Sequence, residues 1–183
     1  MMQRRAFLKS SLLLAAPTLS LPAFADTFAN NASAAPGERV LRLYNTHTGE
    51  KLNRVFWAEG EFDKDALKDI NKVLRDHRTN KVADMDPELL LLLTAVNQKM
   101  DNNKELHIIS GYRSPESNAK LHSASGGVAK RSLHMEAKAI DIRIPGKDLK
   151  MLQRAAMSAK VGGVGYYPES QFVHVDTGRV RYW

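Results

Sequence analysis

The chain has 183 residues, 43% of them hydrophobic, which is enough for the core of one domain and demands no second. It contains no cysteine, which excludes disulfides, thiolate metal sites and cysteine nucleophiles. Its formal net charge is +7, yet no lysine–arginine block interleaved with aromatics occurs, so no nucleic-acid partner is expected.

Residues 1–25 read as an export signal. Arg4, Arg5 and Lys9 precede the apolar run Leu12-Leu13-Leu14-Ala15-Ala16, and Ala23-Phe24-Ala25 offers a small-x-small cleavage site. Gln3 to Lys9 matches the twin-arginine pattern, a receptor-read address for bacterial export to the periplasm. The apolar run is short and broken by Pro17 and Pro22, so no stable membrane insertion is expected after cleavage ahead of Asp26. Losing the signal removes three basic residues and no acidic one, lowering the formal charge from +7 to +4. Residues 26–38 read as a polar, alanine-rich linker, and 39–183 as the working domain.

Residues 39–45 alternate apolar and polar, and 51–57 continue the pattern after a turn containing His47 and Gly49, which predicts a hairpin. Ala66, Leu67, Ile70, Val73 and Leu74 recur at helical spacing, predicting a helix over 62–78 with His77 at its solvated end. A second helix opens with Asp86 as N-cap and Pro87 at its first position, and runs through five leucines towards Met100. A short strand over 105–110 leads to Ser110-Gly111-Tyr112-Arg113-Ser114, and Pro115 starts a helix through Leu121. Ser125-Gly126-Gly127 marks a loop, 139–144 a strand, and 148–160 an amphipathic helix. Gly162 to Gly165 then lead into a strand over 172–176. The order predicts an α+β fold, a small antiparallel sheet with helices packed on it.

Two of these segments carry chemistry. Side chains alternate along a strand, so His174 and Asp176 share one face while Val173 and Val175 take the other, and Asp141 stands apart from Ile140 and Ile142. His134, Asp141 and His174 supply two nitrogens and an oxygen, the donor set of a catalytic zinc that keeps a position open for water. Asp176 is placed either to take a proton from that water or to accept from His174. Spacing alone leaves both roles open. His47, His77, His107 and His122 are read as structural.

These residues carry a resemblance. Ser132-x-His134 followed by Ala139-x-Asp141 resembles the Ser-x-His-x-x-Gly-x-Ala-x-Asp signature of the D-Ala-D-Ala metallopeptidase and hedgehog-like group, with His174 at its third ligand position. Ser110-Gly111-Tyr112-Arg113-Ser114 matches that group's upstream segment. Gly162 to Pro168 and Phe172 to Gly178 are closer still, so that about Val40 to Trp183 is similar to the murein endopeptidase K subfamily. The resemblance implies a zinc endopeptidase, one ion per chain, acting as a monomer on peptide cross-links of peptidoglycan, with links between two diaminopimelate residues preferred. It implies ligand roles for His134, Asp141 and His174, and implies that Arg113 binds a substrate carboxylate or polarises the scissile carbonyl. It places the general base on Asp176, with Glu169 as the alternative, and Ser132, Tyr166 and Tyr167 along the groove, a core position being equally open to Tyr167 ahead of Pro168. Alternatives are a D,D-carboxypeptidase or dipeptidase on stem peptides, or a wall-binding module whose zinc is structural. One departure stands out: Ala137 occupies the signature's glycine position.

Overall fold

The computed structural model describes residues 37–125 and 127–183. The predicted export segment 1–25, the predicted linker as far as residue 36 and Gly126 of the predicted loop lie outside the described residues. The first hairpin forms as predicted, with β1 (Arg39–Asn45) antiparallel to β2 (Lys51–Ala58). A two-residue β3 (Glu61–Phe62) then extends it, and Asp63 caps α1 (Lys64–Val73) by accepting from Asp65 and Ala66 N–H. Next come α2 (Pro87–Lys99), β4 (Leu106–Ser110), α3 (Pro115–Ala124), a 3₁₀ turn over Leu133–Glu136 and β5 (Ala139–Arg143). The described chain finishes with α4 (Leu149–Ser158), β6 (Gly163–Tyr167), β7 (Phe172–Asp176) and β8 (Arg181–Tyr182).

These eight strands form a single sheet in the order β3-β2-β1-β4-β5-β7-β6-β8, and with four helices the fold is α+β. The sheet is mixed, unlike the antiparallel one predicted, because β1 pairs parallel with β4 and β6 with β8. Two helices intervene between β1 and β4, the kind of long connection that a parallel pairing requires.

One face of the sheet builds the core. Cross-strand partners Leu43 and Leu106, Ile108 and Ile142, Ile140 and Val175, and Val164 and Val175 fall on the same side and are buried. They join a cluster with Ile70 of α1, the leucines of α2, and Leu152 and Ala156 of α4. The five consecutive leucines of α2 are all buried, as a core helix requires. No described helix is long and apolar enough to cross a membrane.

Helix α1 stops short of the predicted residue 78. Leu74 O accepts from Tyr112 N–H, and the Asp76 carboxylate accepts from Arg78 N–H and, at 2.8 Å, from Ser114 N–H. Those bonds pull 74–79 out of the helix to brace the loop that carries Arg113. His77 is therefore half-buried rather than solvated. It stacks on His47 at 3.9 Å, and burial together with Arg78 lowers its pKa to about 4.

Candidate metal centre

The opposite face of β5 and β7 carries the polar residues. Asp141 and His174 are direct cross-strand partners, which sets carboxylate beside imidazole. His134 reaches the same point from the 3₁₀ turn, whose entry Ser132 caps. Ala137 ends that turn at φ 56°, ψ 26°, so the signature's glycine position does demand a left-handed backbone, here held by alanine. The turn redirects the chain from His134 into β5, four residues ahead of Asp141.

Three donor atoms converge. His174 Nδ1 lies 2.9 Å from Asp141 Oδ1, His134 Nε2 lies 3.3 Å from the same oxygen, and the two nitrogens are 3.3 Å apart. For zinc bonds of about 2.0–2.1 Å, the corners of a tetrahedron stand roughly 3.3 Å apart. The triangle therefore has the size and donor chemistry of one face of such a site. The side chains of His134, Asp141 and His174 are only 3%, 8% and 12% exposed.

The outer bonds select the tautomers. His134 Nδ1 donates to Gly111 O at 2.7 Å, which leaves Nε2 as a lone-pair donor in the triangle. His174 Nε2 bonds Asp176 Oδ2 at 3.0 Å, which turns Nδ1 inward. Burial opposes charge on both partners, but His134 and His174 hold the Asp141 carboxyl well below the usual range. Burial likewise pulls the His174 pKa down, while its bonds to Asp141 and Asp176 outweigh this and push it up to about 9. The two carboxylates beside His174 thus favour positive charge at its ring.

Gly111 can have no side chain, because a Cβ would lie 2.4 Å from Leu74 O. This close approach brings its carbonyl to His134 and directs Arg113 into the cleft. The Arg113 guanidinium is 11% exposed, 3.9 Å from Asp141 Oδ2, with contacts of 3.4 Å to Asn118 and Ser110 and a buried Nε without a hydrogen-bond partner. It is held loosely and keeps donors to offer. Ser132, Arg131, Tyr167 and Phe172 line the same cleft, whose volume is about 230 Å³.

Three of the expected residues stand outside the cleft lining. Asp176 shares a strand face with His174, as predicted, but it is fully buried and the His174 ring stands between it and the triangle. Its oxygens are taken by His174, Gly163 N–H, Gly178 N–H and Arg181, so the carboxylate is a hydrogen-bond anchor and not a group facing the cleft. Glu169 lies exposed in the turn between β6 and β7 and does not line the cleft. Tyr166 points to the core, while its neighbour Tyr167 takes the cleft side and stacks on Phe172 at 4.6 Å. His107 and His122 lie outside the cleft, His107 against Tyr44 and His122 bonded to Val128 O.

Residues that the pattern reading missed are Arg181 and Trp183, both in the cleft wall. The signal was present in β6. Gly163 and Gly165 fall on the site face of a strand, and a Cβ there would meet Arg181 and Asp176, or the Trp183 ring at 2.6 Å. Glycines at alternate positions mark another group packed over the strand.

A family model described as peptidoglycan L,D-endopeptidase MepK matches residues 33–183. The chain is 38% identical over 181 residues to Peptidoglycan L,D-endopeptidase MepK of Escherichia coli K12, covering 99% of this chain and 96% of that protein. It is 43% identical over 151 residues to Probable peptidoglycan L,D-endopeptidase MepK of Haemophilus influenzae, covering 82% of this chain and 81% of the relative.

Proposed function

The chain belongs to the peptidoglycan L,D-endopeptidase MepK family, and from that premise we propose that it is a zinc endopeptidase hydrolysing peptide cross-links of peptidoglycan, with those between two diaminopimelate residues preferred. The observation that carries this is the buried triangle of His134 Nε2, Asp141 Oδ1 and His174 Nδ1, with sides of 2.9–3.3 Å, open to a cleft that also holds Arg113. The twin-arginine segment of residues 3–9 supports work in the periplasm.

His134, Asp141 and His174 would hold a zinc ion, which when bound would supply Lewis-acid polarisation of the scissile carbonyl and lower the pKa of water. Arg113 orients the substrate and stabilises negative charge as it develops on the carbonyl oxygen, a task its fixed fork of donors suits in a largely buried position. Gly111 O and Asp176 hold the imidazole protons of His134 at Nδ1 and of His174 at Nε2. Asp141 is the one carboxylate lining the cleft among the described residues, so this reading assigns Asp176 the anchoring role and gives it no proton from the reaction.

The test is digestion of purified cross-linked muropeptide dimers with zinc-loaded protein, followed by chromatography. Dimers linked through two diaminopimelate residues are expected to become monomers, chelation to stop the conversion, and zinc to restore it. Zinc-loaded wild-type protein that leaves every dimer intact refutes the reading.

A further inference from the structure

Arg181 is a cleft arginine of a different kind from Arg113. Both its terminal nitrogens grip one carboxylate: Nη2 bonds Asp176 Oδ2 at 2.7 Å and Nη1 bonds Oδ1 at 3.1 Å. This is the bidentate fork that fixes a carboxylate in plane as well as in place. Nη1 also donates to Arg179 O at 3.1 Å. Arg181 is thus committed within the protein, whereas Arg113 has only 3.4 Å contacts and donors to spare.

The fold goes to some length to permit this grip. Arg181 lies on β8, in parallel register with Gly163 of β6. The guanidinium passes over Gly163, where a Cβ would come within 2.5 Å of Nη1 and 2.6 Å of Asp176 Oδ2. On the outside it is backed by the Trp183 ring at 4.9 Å, and Trp183 is itself tied through Nε1 to the Tyr167 hydroxyl at 2.8 Å.

We propose that Arg181 is a positioning residue for the metal centre, acting through Asp176 and His174; this rests on the metal reading above. Asp176 Oδ2 is shared between Arg181 and the His174 Nε2–H. Fixing that oxygen fixes the plane of the His174 ring, and so the direction in which Nδ1 points at Asp141 and His134. Without the guanidinium, the buried carboxylate keeps its two backbone donors on Oδ1 only, and Oδ2 turns with the ring. Outer partners of this kind typically change metal affinity by about 10–100-fold.

The experiment measures zinc affinity of metal-free wild type, Arg181→Ala, Arg181→Lys and Asp176→Asn by competition with a chromophoric chelator. It adds visible spectra of the cobalt(II) forms and repeats each measurement with millimolar guanidinium. Arg181→Ala is expected to bind zinc about 10–100-fold more weakly with a shifted cobalt spectrum. Lysine restores charge without the fork and is expected to fall between the two. Guanidinium is expected to restore affinity and spectrum in Arg181→Ala but not in Asp176→Asn, where its acceptor is altered. A merely structural arginine would show a lower melting temperature with no such selective rescue. Wild-type zinc affinity in a folded Arg181→Ala overturns the proposal alone, and wild-type affinity in Arg181→Lys does so if the alanine variant does not fold. A wild-type protein that binds no zinc overturns the metal reading, and this proposal with it.

Discussion

Ala137→Gly restores the signature glycine between His134 and Asp141, and its effect is a balance of three quantities. Ala137 sits at φ 56°, ψ 26°, and an L-residue in that left-handed region costs roughly 1–2 kcal/mol relative to glycine. Against this, its methyl is 3% exposed within the core cluster, and burial of one such group contributes about 0.8 kcal/mol. Glycine also enlarges the unfolded ensemble, costing a further ~0.4–1 kcal/mol. The terms nearly offset, so the expected change in unfolding free energy is within about 1 kcal/mol of zero, a difference small for one mutation. Urea unfolding followed by circular dichroism measures it, with an unchanged slope required for the comparison. Zinc affinity is expected to stay within about threefold, because both backbones already allow the same turn. A gain above ~2 kcal/mol would refute the claim that the methyl is usefully packed, and a loss of that size would refute the strain. Ala137→Val, which puts a branched side chain in the same conformation, is expected to lose more than ~2 kcal/mol.

Gly165→Ala places a methyl 2.6 Å from the Trp183 ring, displacing the indole, with ~1–3 kcal/mol lost and altered tryptophan fluorescence. In a Trp183→Ala background the same substitution is expected to cost almost nothing, and additive losses would count against the clash. Arg113→Ala is expected to keep its fold and zinc but to lose about 100-fold or more in kcat on muropeptide dimers; unchanged turnover would remove Arg113 from the chemistry. Burial alone would raise the Asp76 pKa, yet bonds from Ser114 and Arg78 hold it well below the usual carboxylate range. A folded pKa depressed in this way stabilises the protein above about pH 4 and is lost as pH falls below it. Asp76→Asn is therefore expected to lose ~1–3 kcal/mol at pH 7 and to flatten the acid limb of a stability–pH curve; an unaltered acid limb would refute the assignment. Chelation of zinc-loaded protein is expected to lower its melting temperature, by the equivalent of ~2.7 kcal/mol where free zinc had stood at 100 times its Kd. An unchanged melt would argue against a folded-state metal site.

The shared face of Asp141 and His174 was legible because β5 and β7 alternate cleanly: apolar Ile140, Ile142, Val173 and Val175 leave those two on the other side, whereas His134 stands on a 3₁₀ turn that no alternation marks. Period-2 reasoning identifies a face and not a reach. It placed Asp176 beside His174 correctly, but it could not say that the imidazole would stand between that carboxylate and the triangle. Strand β6 escaped notice because glycines at 163 and 165 erase the alternation, and with it went the parity that separates Tyr166 from Tyr167. The two-residue strands β3 and β8 are too short to carry a pattern, so Arg181 had no context. The end of α1 depends on bonds to residues nearly forty positions away, which no local window contains.

The direct opposition of Asp141 and His174 across β5 and β7 also governs which changes of length this chain could survive in descent. Removing one residue from either strand carries one donor to the core face and a valine or isoleucine into its place, so the loss is abrupt and not graded. The turn over residues 168–171 is exposed and outside the cleft, so insertions can accumulate there without disturbing the pairing. Gaps and extensions among descendants should therefore collect in that turn and avoid the two strands. The hairpin acts as a ruler whose markings cannot be moved but whose handle can be of any length.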